Sequence, residues 1–388
     1  MKSPRGRAEG FADTGLGALP GASPCLSASP TCQTATCIPR VGSACENVRS
    51  TLPLALSVLM LITSSVHAGI GETGGQILMQ PLGARPAALG EATSAEGGTT
   101  DALAANPAGL AGLVRPEGSA LFHAGFAGDT FVSVLGGGSI KGFGVGGAVA
   151  YQTSGSVERI DPTGRSAQVA AMSELWATAG LARALPVVPV SIGGSLEIIR
   201  STLLEEFVAT DVAANLGIHC DIDSIGLALG AAVQHWGGDL RYDEEKLPID
   251  INALPLSYRF GAAWTTMPVS DDMTIGRLER GDAPALQRRV DPHGITLFGE
   301  AVVRRAEHAV AYGGGVEYGW AGWAFLRGGY RRLAEGAART RNLYSFGVGV
   351  RRGPIRVDYA IELLEFTALH RVGLTIAQRE EPEERSTR

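Results

Sequence analysis

The sequence predicts an all-β fold: a transmembrane antiparallel β-barrel of about 14 strands, preceded by an N-terminal hatch, or plug, segment. Three observations support this prediction. Glycine supplies 53 of the 388 residues but follows no collagen period, so it serves another regular structure. Between residues 116 and 378 the chain divides into segments of roughly 10 to 14 residues bounded by Gly, Pro and Asp clusters. Within these segments bulky apolar residues alternate with small or polar ones, which is the period of a strand.

An apolar run near the N-terminus, LPLALSVLMLI at residues 52–62, predicts a secretory signal. It has about 11 residues, against the roughly 20 that a membrane-spanning helix needs. Arg49 precedes it, and Val66 and Ala68 follow at the positions that signal cleavage favours. We therefore expect a signal peptide over residues 48–68, cleaved before Gly69. The alternative is a buried core helix.

Residues 1–47 form a leader rich in Pro, Ser, Gly and Thr, which we expect to be disordered, or not translated if the chain starts near Val48. It holds four of the five cysteines. No histidine accompanies them, so we expect no zinc site or disulfide framework there. The charge run at residues 379–388 is expected to be a disordered tail.

The two faces of each segment distinguish a membrane barrel from a soluble sandwich. In FVATDVAANLGIH, residues 207–219, Val212 and Leu216 share one face, and Ala213 and Gly217 share the other. A soluble sandwich would place the bulky face inside and Lys, Glu and Thr outside. Here the second face is Gly, Ala and an occasional charge, which suits a barrel interior whose bulky residues face lipid. Closure also pairs every strand edge, as the hydrocarbon region requires.

The strands of the predicted barrel, over 116–378, are 117–127, 129–139, 142–153, 173–184, 189–201, 206–219, 223–236, 254–265, 293–305, 309–319, 322–332, 342–351, 354–362 and 368–377. Two hydrophilic insertions, at 161–172 and 265–291, predict extramembrane loops. Tryptophans near segment ends fit an interfacial girdle, although a soluble core could hold them equally well. These are Trp236, Trp264, Trp320 and Trp323.

The stretch PLGARPAALGEATSAEGGTTDALAANPAGLAGL, residues 81–113, resembles the opening of PorV/PorQ-type outer-membrane proteins, relatives of the FadL-like transporters. The shared positions are Gly83, Ala84, Arg85, Gly90, Asp101, Asn106, Pro107, Ala108, Gly109 and Leu110. Later segments, including FLRGGYR and FGVGVRRGPIRVDYAI, resemble the family too. The chain departs from it at Thr100 and Ala105, where an acid and an aromatic residue are usual, and at the last strand, which ends in Gln378 rather than an aromatic.

The resemblance implies that residues 69–115 form a hatch in or across the barrel mouth. Pro107 must end any helix through 102–105, and Asn106 can cap the turn that follows. Gly109 then permits a conformation forbidden to other residues. The alternative is a plain surface turn between two strands.

Sequence motifs for catalysis and cofactor binding are missing or out of context. GFGVGG, residues 142–147, matches the dinucleotide fingerprint but precedes a strand instead of a helix. No Walker A, H-E-x-x-H or G-x-S-x-G sequence occurs, and the seven histidines lack ligand spacing. We therefore predict no enzyme activity, cofactor or metal. A net charge of -6 gives no footprint for nucleic acid.

Several charged residues fall on the small-residue faces and are predicted to point into the lumen. There they would form structural pairs or line a passage. They are Asp211, Glu300, Arg304, Asp358, Glu362 and Arg371.

The sequence thus favours a non-enzymatic protein of the outer membrane of a Gram-negative-type bacterium. Its expected partners are outer-membrane lipid and the barrel assembly machinery. The resemblance implies either passage of hydrophobic small molecules or service to a secretion apparatus and its components, and the residues do not choose between them. A rival interpretation is a soluble exported β-sandwich or surface protein with a structural or binding role.

Overall fold

The computed structural model describes residues 73–125, 128–160, 163–242, 252–266, 293–305, 309–335, 339–365 and 367–378. The predicted leader, signal peptide and charged tail, and nearly all of the 265–291 insertion, lie outside these ranges. Within them, no helix has the length and apolar character needed to span a membrane.

The strands of the described residues are β1 (Glu117–Ala124), β2 (Thr130–Ile140), β3 (Phe143–Thr153), β4 (Ser156–Ile160), β5 (Ser166–Ala170), β6 (Met172–Ala184), β7 (Val190–Leu203), β8 (Phe207–Ile222), β9 (Leu227–Gly237), β10 (Asp239–Leu240), β11 (Asn252–Ala253), β12 (Ser257–Thr265), β13 (His293–Arg304), β14 (Ala309–Trp320), β15 (Ala324–Glu335), β16 (Arg339–Arg352), β17 (Ile355–Leu363) and β18 (Ala368–Ala377).

Fourteen of the described strands form one closed antiparallel barrel, in which each strand pairs with its neighbours in chain order. The pairs β4–β5 and β10–β11 form separate two-stranded sheets. Strand β1 pairs with β18, with Glu117 opposite Ala377 and Ala124 opposite His370, which closes the barrel. We call the end where β1 begins and β18 ends the lower end, and the opposite end the upper end.

Each of the fourteen predicted segments coincides with one barrel strand, so the predicted fold class is confirmed. The ends shift by a few residues. The segment predicted from residue 223 begins as a 3-10 turn, Asp223–Ile225, because Gly226 adopts a left-handed φ of 65° and delays the extended backbone until Leu227. The insertion predicted at 161–172 contains part of the β4–β5 hairpin, which the sequence analysis did not anticipate.

The outer face of the barrel is apolar and exposed. Leu196 is 72% exposed and Val212 62%, while their neighbours Ser195 and Ala213 are buried. The four tryptophans near strand ends also face outward. A soluble monomer rarely exposes contiguous apolar area of this kind, whereas a transmembrane barrel requires it. The predicted assignment of bulky residues to the outside and small residues to the inside is therefore confirmed.

Residues 73–116, which we call the inner segment, precede β1. The segment contains a 3-10 turn (Gln76–Met79), helix α1 (Ala84–Ala88), helix α2 (Ala102–Ala105) and a second 3-10 turn (Pro107–Gly112). It starts at the upper end, where Thr73 bridges to Ala253, and it reaches the lower end where β1 begins.

A positive charge on the outer face should destabilise the barrel according to its depth. A basic residue costs about 2–4 kcal/mol at the bilayer midplane of a barrel and about 0–1 kcal/mol near the interface. We expect Leu196→Arg, in the middle of β7, to lower the free energy of unfolding by the larger amount, measured by urea titration in phospholipid vesicles. Val187→Arg, in the turn after β6, should lose only the smaller amount. Equal losses would contradict the placement of Leu196 at the bilayer midplane.

Candidate functional site: the barrel lumen

Glycines on the inward face let the backbone of the inner segment lie directly on the wall. A Cβ atom on Gly193 would lie 2.6 Å from the Ala108 nitrogen, and one on Gly315 would lie 2.6 Å from the Leu89 oxygen. A Cβ would also overlap inner-segment atoms at Gly144, Gly217, Gly230, Gly329 and Gly347. Because these glycines belong to strands on opposite sides of the barrel, the inner segment lies within the lumen.

The Asn-Pro-Ala-Gly-Leu motif fixes the lower part of the inner segment. Asn106 is fully buried, and its Oδ1 accepts a hydrogen bond from the Ala108 nitrogen at 3.1 Å. Its Nδ2 donates to the Ser94 oxygen at 2.8 Å and to the Ile218 oxygen of β8 at 2.9 Å. Helix α2 ends at Ala105, as Pro107 predicts.

The reason we expected for Gly109 is wrong. Its φ is not positive, so no special conformation demands glycine there. Glycine is required there because a side chain has no room: a Cβ would lie 2.8 Å from the Ala102 Cβ and would overlap the Glu96 oxygen. Gly90 is the motif glycine that does adopt a left-handed φ, of 63°.

The large apolar side chains of the lumen lie mainly on the side of β1–β8, where Glu174 and Glu197 are also buried. Large side chains of the inner segment pack there against large wall side chains, and all are buried in one cluster. The inner-segment members include Ile77, Leu82, Leu103 and Leu110, and the wall members include Leu121, Phe131, Leu135, Trp176 and Ile199.

The opposite half of the lumen is charged. Arg85 pairs with Glu96 of the inner segment and with Glu317 of β14, its Nε lying 2.8 Å from the Glu317 Oε2. Glu317 also accepts from Arg327, whose Nη1 lies 2.7 Å from Asp358. Arg356 completes this row of alternating charges, 2.7 Å from the same Asp358. Such buried pairs are expensive to break singly, because the remaining charge has no partner.

Four of the six predicted lumen charges lie in buried ion pairs. Glu300 pairs with Arg259 and accepts the Ser94 N–H at 2.9 Å. Glu362 accepts from the Arg371 Nε at 2.6 Å, and Arg371 Nη2 donates to Gln80 Oε1 at 3.0 Å. The fourth, Asp358, belongs to the row above. Asp211 and Arg304 are only half-buried; Asp211 accepts from the next backbone N–H at 2.8 Å, and Arg304 lines the upper cavity described below.

A second polar cluster, which the strand period does not predict, lies at a bulge between β8 and β9. The register shifts at Ala214/Leu216, and His235 has a φ of 57°. The bulge turns both Gln234 and His235 inward, which breaks the alternation of the strand. His235 Nδ1 lies 2.7 Å from Glu197 Oε1, and its backbone N–H donates to Asn215 Oδ1 at 2.7 Å. No turn residue in the sequence marks this bulge, so the period alone could not reveal it.

Two cavities lie between the inner segment and the charged half of the wall. The lower cavity, about 260 Å³, is lined by Glu96, Glu317, Arg327 and Arg356 among others. The upper cavity, about 60 Å³, is lined by residues that include Asp101, Arg259, Glu300 and Arg331. The two share no lining residue, and no residue of β2–β8 lines either. The inner segment therefore separates them.

Asp101 is the buried acid of the inner segment that lacks a full set of partners. Its Oδ1 has no hydrogen-bond partner. The pKa of Asp101 is raised to about 7, mainly because the side chain is buried. Among the nearby charges, Arg356 and Arg85 lower this pKa, whereas Glu117 and Glu96 raise it. The carboxyl group is therefore partly protonated at neutral pH.

No group of three or more His, Cys, Asp or Glu in the described ranges is arranged to hold a metal ion. No protein-family model matches the chain, and no curated protein matches it either.

Several solved structures share the fold. A deltaS2 mutant of the monoaromatic hydrocarbon channel TodX matches with a TM-score of 0.51 and 11% identity, over 77% of this chain and 99% of that chain. The P. putida toluene transporter TodX has a TM-score of 0.49 and 12% identity, over 77% and 99%. The CymD monoaromatic hydrocarbon channel has a TM-score of 0.49 and 10% identity, over 76% and 96%. At these identities the likeness concerns the barrel fold.

A side chain on the glycine wall should disturb the inner segment. Gly193→Ala places a Cβ 2.6 Å from the Ala108 nitrogen, and overpacking of this kind costs about 1–3 kcal/mol. We expect a lower thermal transition, measured as the temperature at which the folded band disappears in detergent gels. Gly299→Ala is the matched control, since its Cβ would meet nothing within 4 Å. If both variants melt alike, the close contact does not exist.

The raised pKa of Asp101 predicts a pH-dependent stability. The unfolded chain loses the Asp101 proton near pH 4, and the folded chain keeps it to about pH 7. The folded state therefore binds the extra proton in this window, and the Asp101 contribution to stability falls as the pH rises from about 4 to about 7. We expect Asp101→Asn to remove that component.

The measurement compares thermal transitions at about pH 5 and about pH 8. The wild type should lose more stability over this interval than Asp101→Asn, whereas Asp223→Asn, at an exposed turn acid, should follow the wild type. An unchanged pH profile in Asp101→Asn would show that Asp101 titrates normally.

Proposed function

We propose that the protein is an outer-membrane channel for small molecules in which the inner segment acts as a hatch. The observation that carries the proposal is the separation of the two lumen cavities by the inner segment inside a closed, outwardly apolar barrel. A solute that crosses must therefore meet a part of the chain that can move. The barrel fold shared with a hydrocarbon channel supports a transport role.

We also propose that the signal peptide is cleaved, that the barrel assembly machinery inserts the barrel, and that outer-membrane lipid surrounds it. Hydrophobic small molecules are one solute class, because the family resemblance implies them and because TodX is a monoaromatic hydrocarbon channel. Service to a secretion apparatus is the alternative from the same resemblance, and the PorV/PorQ-like motif alone supports it. The motif residues Gly83, Arg85, Gly90, Asp101, Asn106, Pro107, Gly109 and Leu110 would then hold a hatch in place for a partner protein.

Deletion of residues 99–113 tests the hatch. The ends left by the deletion lie close together, because the Gly98 N–H donates to the Gly109 oxygen at 2.9 Å and a Gly98 Cβ would lie 3.1 Å from the Gly112 oxygen. The deletion also removes the Asn106 bonds to Ser94 and to β8. We expect a several-fold rise in single-channel conductance in planar bilayers.

The control is Ala228→Ser, a small change on the inner face of β9, which should leave conductance as in the wild type. Both proteins must show heat-modifiable migration in detergent gels, which demonstrates a folded barrel. A folded deletion variant with unchanged conductance would exclude the hatch, and it would favour the secretion role.

A further inference from the structure

We propose that solutes cross the barrel beside a movable strip of the inner segment, residues 91–96, and that this route takes small ionic or zwitterionic solutes. The inference rests on the proposed channel function. It adds the route, and it assigns charged solutes to that route in place of the hydrophobic class that the family resemblance implies. The strip lies between the upper and lower cavities, since its residues Glu91 and Thr93 line the first and Glu96 lines the second. The cavities join when the strip moves off the wall of β12–β15.

Residues at which the backbone can turn flank the strip. Gly90 has a φ of 63°, and Gly98 has a φ of 81°. Between them Glu91 also adopts a left-handed φ, of 61°, which a residue with a Cβ atom disfavours. Contacts around Glu91, among them its ion pair with Arg331, must therefore hold it there. The strip begins and ends where rotation is least restricted, and its movement relieves this strain.

Ionic contacts tie the strip to the wall. The Ser94 N–H donates to Glu300 at 2.9 Å, and Glu91 pairs with Arg331. Glu96 pairs with Arg85, which Glu317 holds from β14. Two contacts to backbone oxygens lie on the other side of the strip: the Asn106 Nδ2 bond to the Ser94 oxygen, and His219 Nε2 at 3.0 Å from the Ala95 oxygen.

The apolar contacts of the strip are small. Ala92 and Ala95 belong to a small buried cluster whose other members are Leu89, Ala228, Ala263 and Phe298. The part of the inner segment that faces β1–β8 buries leucine and isoleucine side chains against aromatic and aliphatic ones instead. Because stabilisation grows with the apolar area buried, apolar packing holds the strip less firmly than the rest of the inner segment, and its attachment to the wall depends on the ionic contacts.

The chemistry of the walls selects the solute. Moving the strip uncovers guanidinium and carboxylate groups that lose a partner. A solute with its own charge replaces that partner, whereas an apolar solute leaves the groups unpaired at a high cost. The charged wall groups along the route are Arg259, Glu300, Arg304, Arg331, Glu317, Arg327 and Arg356.

A reversible lock tests the route. A Cβ on Gly313 of β14 would lie 3.6 Å from the Ala92 Cβ, within the separation that a disulfide spans, and 2.8 Å from the Gly90 oxygen, so the Gly90 backbone must shift slightly in this variant. In a Cys220→Ser background, the double variant Ala92→Cys with Gly313→Cys fixes the strip when oxidised. We expect the swelling of proteoliposomes in glycine, a zwitterion, to fall several-fold on oxidation and to recover on reduction with dithiothreitol.

The control is Ala84→Cys with Gly373→Cys, an alanine–glycine pair that joins the inner segment to β18 before the strip begins. Its Cβ separation of 3.1 Å is shorter than the roughly 3.5–4.5 Å of a disulfide, so the two backbones must move apart by a few tenths of an ångström when the pair oxidises. Oxidation of this pair should leave glycine entry unchanged. Heat-modifiable migration of both proteins verifies folding, and loss of free thiols verifies the lock.

The outcomes separate the route from the channel function. If the strip lock has no effect on glycine entry while deletion of residues 99–113 still raises conductance, the channel stands and the route is overturned. If the unlocked protein admits uncharged arabinose as fast as glycine, the proposed solute class is overturned. If neither the wild type nor the deletion variant conducts, the channel function fails and the route fails with it.

Discussion

The close approach between the inner-segment backbone and the barrel wall is the constraint on which the rest of the structure depends. It requires positions without a Cβ at points such as Gly193, Gly217 and Gly315. Those positions alternate with outward residues, which are bulky and apolar. The strand period therefore lets the two faces differ in residue type. One periodic pattern therefore serves two environments, lipid outside and a folded chain inside.

Different contacts hold the inner segment on the two sides of the barrel. On the side of β1–β8 the inner segment is held by large apolar contacts and by the Asn106 bonds, and neither cavity borders those strands apart from Glu117 of β1. On the side of β12–β17 it is held by ion pairs, and both cavities lie there. Neither water nor a charged solute can replace buried apolar packing, whereas a charged solute can replace one partner of an ion pair. In the proposed channel the apolar side therefore anchors the segment, and the charged side is the route.

The fold was accessible from the sequence because strand period is a local property. All fourteen barrel strands follow from the alternation, and the end of α2 follows from Pro107. Contacts between distant residues were not accessible in this way. The charges at Glu300 and Arg371 could be placed on an inner face, but their partners Arg259 and Gln80 depend on register and on the path of the inner segment. The bulge at His235 left no local signal. The role of Gly109 was misjudged because the groups that crowd it, the Glu96 oxygen and the Ala102 Cβ, are not its neighbours in sequence.

Photo-crosslinking with a phospholipid that carries a diazirine in its acyl chain tests the central claim most directly, since it needs no substitution. Mass spectrometry of the reconstituted protein should find lipid adducts on outward residues such as Leu196, Ile198 and Val212. It should find none on Ser195 and Ile199, which alternate with them, nor on residues 84–112 of the inner segment. Adducts on both faces of β7, or on the inner segment, would contradict a closed barrel whose small-residue face encloses its own chain.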